Sequence, residues 1–344
     1  MKLGVSVGYW GFGLTAADQL DIARTAEELG YDSVWTAEAY GSDAATVLAW
    51  LAAGTSRIKL GAGIFQIPAR SAAMTAATID QLSGGRMLLG LGTSGPQVSE
   101  GWHGVRFAKQ LQRTREYVAV VRMALAHQKV EFHGETLDLP LPDGPGKVLK
   151  LTIRPVQDRI PIYLAVLGPK NVALAGEIAD GWLPVFFSPE HTAELRVPLE
   201  EGAARAGRSL DDFRVCPNVN VMIGDDADVA RNAMRPMLAL YVGGMGSREQ
   251  NFYNRLVSSY GFEREAEQVQ ELYLSGRKSD AMLALSDDLI DAVSIAGSPQ
   301  RAKERIRAFH DAGVETLIVS PMAFDNDERK HQLRLVAELA ADFG

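Results

Sequence analysis

Short β-type runs, most ending in glycine or a hydroxyl residue, alternate with stretches of helical spacing along the whole chain. The runs are Leu3 to Gly8, Ser33 to Thr36, Ile58 to Gly63, Met87 to Gly92, Ile162 to Val166, Trp182 to Phe186, Phe213 to Ile223 and Thr316 to Ser320. Helix signals separate them. Thr15 with Asp18 three residues on reads as a capped start, and Leu20, Ile22, Ala26 and Leu29 follow on one face up to Gly30. Eight strands spaced by helices fit an α/β fold in which a parallel sheet closes into a (β/α)8 TIM barrel, not an open doubly wound sheet. The 344 residues, 47% of them hydrophobic, suffice for one such core. We therefore read residues 1–344 as one barrel domain.

Two segments break the alternation. Residues 127–157 lose helical spacing, and the runs 130–139 and 148–153 read as a β-hairpin insertion around Pro142-Asp-Gly-Pro-Gly146. The second insertion, near 243–290, is mostly helical and carries Met245, Phe252, Tyr253 and Tyr260. Either it covers the barrel mouth and shapes an apolar pocket, or it packs on the barrel as a helical hairpin.

Charge and cysteine content narrow the function classes. The net charge of −8 points away from nucleic acid and anionic membranes as partners. The single cysteine, Cys216, lies in an apolar run and reads as a buried, inert thiol. No signal-peptide or membrane-span pattern is present, so the expected setting is the cytoplasm.

Barrel active sites lie at the C-terminal ends of the strands. The candidates there are Tyr9, Trp10 and Gly11; Thr36 to Tyr40; Gly63 to Gln66; Gly92 to Pro96, with Trp102 and His103 following; and Leu167 to Lys170. Glu38 is the carboxylate immediately at a strand end, and His103 the histidine nearby. No histidine and carboxylate spacing suggests a metal site, and neither a nucleophile elbow nor a Walker loop is present. Such a set, rich in glycine, hydroxyls and aromatics, suits a flat organic cofactor that brings its own chemistry. Gly168-Pro169-Lys170 either simply begins a helix or presents a helix N-terminus and a positive charge to a phosphate. Gly61 and Gly63 likewise mark either a turn or a close approach of backbone to a ligand. Trp35 and Trp50 read as core aromatics.

The chain resembles the luciferase-like monooxygenase superfamily, and within it the branch that uses coenzyme F420, an 8-hydroxy-5-deazaflavin. The resemblance is carried by Ser33-Val-Trp-Thr-Ala-Glu-Ala-Tyr40, Ile58-Lys-Leu-Gly-Ala-Gly-Ile64, Asp80-Gln-Leu-Ser-Gly-Gly-Arg86, Gly90-Leu-Gly-Thr-Ser-Gly-Pro-Gln-Val-Ser-Glu-Gly-Trp-His-Gly104 and Tyr163-Leu-Ala-Val-Leu-Gly-Pro-Lys170. It implies hydride transfer between the deazaflavin and an organic substrate. It also implies a non-prolyl cis peptide at Gly63-Ile64 behind the ring, with Thr93, Ser94, Gly95, Gly168 and Pro169 on the phosphate and ribityl chain. Several relatives have an Asp-His pair after the second strand, where this chain has Glu38-Ala39. The resemblance leaves Glu38 as a proton donor or relay, with His103 approaching from the fourth loop. An FMN-dependent monooxygenase and a non-catalytic cofactor carrier are the alternatives. Relatives of this kind are usually dimers or tetramers, and a homodimer is expected.

Overall fold

The computed structural model describes residues 1–8, 14–246 and 248–343. Strands Lys2–Gly8, Ser33–Thr36, Lys59–Ala62, Met87–Gly92, Ile162–Leu164 and Gly181–Trp182 pair in parallel, in chain order. Residues 214–223 then close the ring. Arg214–Val215 pairs with Gly181–Trp182, while Asn218–Ile223 pairs with Thr316–Pro321, which in turn pairs with Lys2–Gly8. The expected α/β barrel is therefore present. Several of its short strands are buried on both faces, as parallel barrel strands are: every residue of Met87–Gly92 and of Ser33–Thr36 is buried.

The barrel interior explains two of its glycines. Trp35 lies inside with Leu88, Tyr163, Leu183, Cys216 and Ile318. Its ring meets that of Tyr163 edge-on, with centroids 5.5 Å apart and an interplanar angle of 87°. A Cβ on Gly61 would lie 2.2 Å from the Trp35 ring, and one on Gly90 only 1.9 Å from the Ala62 carbonyl oxygen. Gly61 thus makes room for a core indole. Cys216 is buried in the same cluster, and burial pushes its thiol well above the usual range. Trp50, expected in the core, is instead half exposed on the outer face of helix Ala44–Gly54.

Helix starts follow the sequence closely. Thr15 and Asp18 form a reciprocal capping box, and Asp43 caps the next helix through the Thr46 N–H. The motif Asp80 to Arg86 ties together the opposite end of the barrel. The buried Asp80 carboxylate accepts N–H groups of Val156, Gln157 and Met87, while Arg86 donates to the carbonyls of Ala52, Thr55 and Ile58.

Two details differ from expectation. The hairpin pairs Phe132–His133 with Asp138–Leu139, and the run at 148–153 joins through one bridge, Val130 to Leu149. The buried Glu116 carboxylate sets this tight turn, accepting the N–H groups of Glu135, Thr136 and Leu137 at 2.7, 2.8 and 3.0 Å. A further strand, Ser294–Gly297, lies beside Asn218–Ile223. It follows helix Asp287–Val293 without a turn residue between them, so no punctuation announces it.

The helices from Ala227–Ala239 to Asp287–Val293 build a second apolar cluster of their own. Phe186, Met222, Ala296 and Met322, from the ends of neighbouring barrel strands, join it. It therefore sits on the strand ends of that side. Among the described residues no helix is long and apolar enough to cross a membrane.

Candidate active site

Three strand ends converge on one side chain, Gln66. Strand Lys59–Ala62 is followed by a cis Gly63-Ile64 peptide and the short strand Phe65–Gln66, which pairs with the end of Met87–Gly92. The cis bond is the one the resemblance implied. Gln66 is buried, and its Nε2 faces the carbonyl oxygens of Glu38 and Ala39, both at 3.4 Å, and Ser94 Oγ at 3.2 Å. Its Oε1 lies 2.7 Å from His103 Nε2. Glu38, Ser94 and His103, which come from two different loops, thus meet at a residue of a third.

Glu38 is heavily bonded. Arg70 grips it through both oxygens, Nη1 to Oε1 at 2.5 Å and Nη2 to Oε2 at 2.9 Å. Oε1 also accepts the Gln66 N–H at 2.9 Å, and Oε2 the Ala44 N–H at 3.1 Å. A bidentate guanidinium with two backbone donors is the arrangement that holds a carboxylate in one orientation. Arg70 reaches Asp43 as well, at 2.5 Å, and its guanidinium lies 4.9 Å from the Phe65 ring centroid. Burial works against the Arg70 charge, but Glu38 and Asp43 outweigh it and raise its pKa. Burial raises Asp43 too, and the Thr46 bonds with Arg70 bring its pKa below the ordinary value. Behind the pair, Tyr117 Oη donates to the Arg70 carbonyl at 2.6 Å and accepts the Ala72 N–H at 2.9 Å.

The neighbouring loops offer backbone and hydroxyl groups. Thr93, Ser94 and Gly95 are half-buried, and Ser94 has a left-handed φ of 59°. Gly92 admits the Ile64 side chain, whose Cδ1 would lie 2.7 Å from an added Cβ. On the adjacent strand's loop, Gly168 has φ 79° and open space where a Cβ would sit, and it precedes helix Pro169–Ile178 with no side-chain cap. Gly168, Pro169 and Lys170 are exposed. An uncapped helix N-terminus with nearby hydroxyls and a lysine has the donor chemistry for a phosphate-bearing chain.

Tyr9, Trp10 and Gly11 lie outside the described residues. Tyr40 and Trp102 are exposed at the rim, at 65% and 68%. Gln66 is among the strand-end candidates of the sequence but without a partner, and Arg70 is not among them; the available signal is a lone amide in the apolar run Ile64 to Ile67, with a basic residue beyond it. Among the described residues no group of three or more His, Cys, Asp or Glu side chains is placed to hold a metal.

Residues 5–316 match the family model for luciferase-like monooxygenases. A Mycobacterium tuberculosis protein provisionally named coenzyme F420-dependent oxidoreductase Rv3520c is 44% identical over 330 residues, 93% of this chain and 95% of that protein. The 5,10-methylenetetrahydromethanopterin reductase of Archaeoglobus fulgidus is 31% identical over 320 residues, 92% of each chain. Among solved structures, the coenzyme F420-dependent tetrahydromethanopterin reductase from Methanopyrus kandleri superposes with a TM-score of 0.84 at 26% identity, covering 100% of this chain and 99% of that one. With a family match over most of its length and relatives that span nearly all of it, the chain belongs to the luciferase-like monooxygenase family.

Proposed function

We propose that this protein is a coenzyme F420-dependent oxidoreductase acting on a small organic substrate. The observation that carries the reading is the 44% identity, over almost the full length of both chains, to a protein named for that activity. The strand-end residues fit the cofactor: half-buried hydroxyls at Thr93 and Ser94, an unobstructed Gly168, and an uncapped helix N-terminus beside Lys170 suit its phosphate-bearing chain. When bound, the deazaflavin supplies hydride chemistry. The chain's part is to bind and orient it. Thr93, Ser94, Gly95, Gly168, Pro169 and Lys170 would hold the phosphate side, and Gly63 and Ile64 would back the ring.

For the proton, the geometry favours His103 over Glu38. All the bonds on the Glu38 carboxylate come from donors, so it serves better as an anchor for Gln66 and the strand-three loop than as a shuttle. His103 is half-exposed. We read residues 1–344 as one barrel domain, with the hairpin near 127–157 and the helices near 243–290 as insertions, the latter roofing part of the mouth. The protein is read as cytoplasmic. A homodimer is proposed on the exposed Trp50, Met74 and Leu82 of helices Ala44–Gly54 and Ala72–Ser83, which pack together.

Titrating the purified protein with coenzyme F420 and with FMN, followed by cofactor absorbance and fluorescence, tests the reading. Tighter deazaflavin binding is expected. Tighter FMN binding would replace it with a flavin monooxygenase, and tight deazaflavin binding without turnover on a broad substrate panel with a carrier.

A further inference from the structure

We infer that Gln66 fixes the tautomer of His103, placing the neutral ring's proton on Nε2 and leaving Nδ1 as its basic nitrogen. The oxygen and nitrogen of the Gln66 amide are distinguished by what surrounds them. One end of the Gln66 side chain faces two backbone carbonyls, those of Glu38 and Ala39. Carbonyl oxygens only accept, so the amide NH2 belongs at that end, and Ser94 Oγ at 3.2 Å accepts from it as well. The opposite end is then the carbonyl oxygen. It also only accepts, so His103 Nε2, 2.7 Å away, must donate.

The reverse orientation would set Gln66 Oε1 against two carbonyl oxygens and leave both without their donor. The amide cannot swing out of this choice. Gln66 is buried, its own N–H is held by Glu38 Oε1 at 2.9 Å, and Glu38 is clamped by Arg70. The Glu38 carboxylate thus accepts from both Arg70 and the Gln66 backbone N–H, and the Gln66 amide, set by the Glu38 and Ala39 carbonyls, accepts from His103. No described residue hydrogen-bonds His103 Nδ1. In a neutral imidazole, one nitrogen donates and the other takes the proton, and the bond at the first decides which. Gln66 is a positioning residue in this scheme. It acts through His103. That Nδ1 carries the reaction's proton rests on the oxidoreductase reading above; the tautomer itself does not.

Nitrogen-15 NMR of the ligand-free protein, with 15N-labelled histidine, reads the protonation of each ring nitrogen directly. His103→Ala assigns the resonances. The wild-type protein is expected to show a protected Nε2–H and an unprotonated Nδ1 above the ring's titration. A proton on Nδ1 instead would overturn the inference. Gln66→Leu, similar in size but unable to accept, is expected to lose the protected Nε2–H signal while the remaining amide spectrum stays folded. Persistence of that signal in the variant would show that Gln66 does not set the tautomer. Because these spectra contain no cofactor, their outcome is independent of whether coenzyme F420 binds, which the titration decides.

Discussion

Arg70 and Glu38 form a bidentate pair in which both carboxylate oxygens carry a guanidinium bond and a backbone N–H. Their side chains are only 19% and 6% exposed. The pair joins two consecutive loops of the barrel: Glu38 and the Ala44 N–H belong to the connection from the second strand to its helix, and Gln66 and Arg70 follow the third strand. A proton relay would need a free lone pair and an accessible oxygen. An anchor needs what is seen here.

The first prediction follows from that geometry. Arg70→Met leaves a buried carboxylate without its counter-charge and is expected to cost about 3–5 kcal/mol of stability. Glu38→Gln leaves Arg70 its ion pair with Asp43 and is expected to cost less. Urea melts check the order. The pH dependence of kcat separates the two roles of Glu38: as an anchor, its Gln variant lowers the rate but keeps the profile's shape. Loss of one limb of the profile would return Glu38 to the proton pathway.

The strand glycines give a graded series. At Gly90 an added methyl meets the Ala62 backbone oxygen, which cannot move without moving a strand. At Gly61 it meets the Trp35 ring, a side chain in a packed interior. Overpacking of this kind costs about 1–3 kcal/mol and occasionally more, so Gly61→Ala is expected within that range and Gly90→Ala beyond it. Gly101 has open space and no left-handed φ, so Gly101→Ala is expected to be neutral or stabilising by about 0.4–1 kcal/mol. Thermal denaturation of the three variants tests the ranking.

The same residues show what the sequence could and could not announce. Strand-helix alternation, the Thr15 cap and the glycine-rich strand ends are local signals, and the barrel is legible from them. Gln66 to His103 spans 37 residues and Arg70 to Glu38 spans 32, so no local pattern pairs them. Glu116 looked like one more polar residue on a helix, because the turn that buries it lies about twenty positions on. Trp50 misled for a different reason: helix Ala44–Gly54 is apolar nearly all round, so composition does not say which face is buried.

The hairpin should be acid-sensitive. Burial raises the Glu116 carboxyl, but bonds from Thr136, Gln112 and the Glu135 and Thr136 N–H groups overcome it and hold its pKa at about 2. A glutamate in the unfolded chain titrates near pH ~4.3. A depressed folded pKa gives stability that is fully present above the unfolded value and lost as pH falls through the folded one. Protection of the Glu135, Thr136 and Leu137 amides from hydrogen exchange is therefore expected to decline between pH ~4.3 and about 2. Glu116→Gln should lose much of it at neutral pH, since an amide NH2 then faces donors. Unchanged protection in the variant would mean that the turn holds without the carboxylate.

The phosphate side of the site makes the last prediction, and it separates two kinds of contact. Ser94 offers a hydroxyl on a left-handed turn, and Lys170 an exposed charge in the first turn of helix Pro169–Ile178. A hydrogen bond to a charged group contributes about 1.5–3 kcal/mol, so Ser94→Ala is expected to weaken coenzyme F420 binding by about ten- to a hundredfold at any salt concentration. Lys170→Ala acts through a solvent-exposed charge, which salt screens over roughly 8 Å at physiological ionic strength. Its loss should therefore weaken binding at low salt and matter little at high salt. Fluorescence titrations of the deazaflavin at two salt concentrations measure both. Unchanged affinity in both variants would remove these two loops from the cofactor site while leaving the barrel and its Gln66 network as they are.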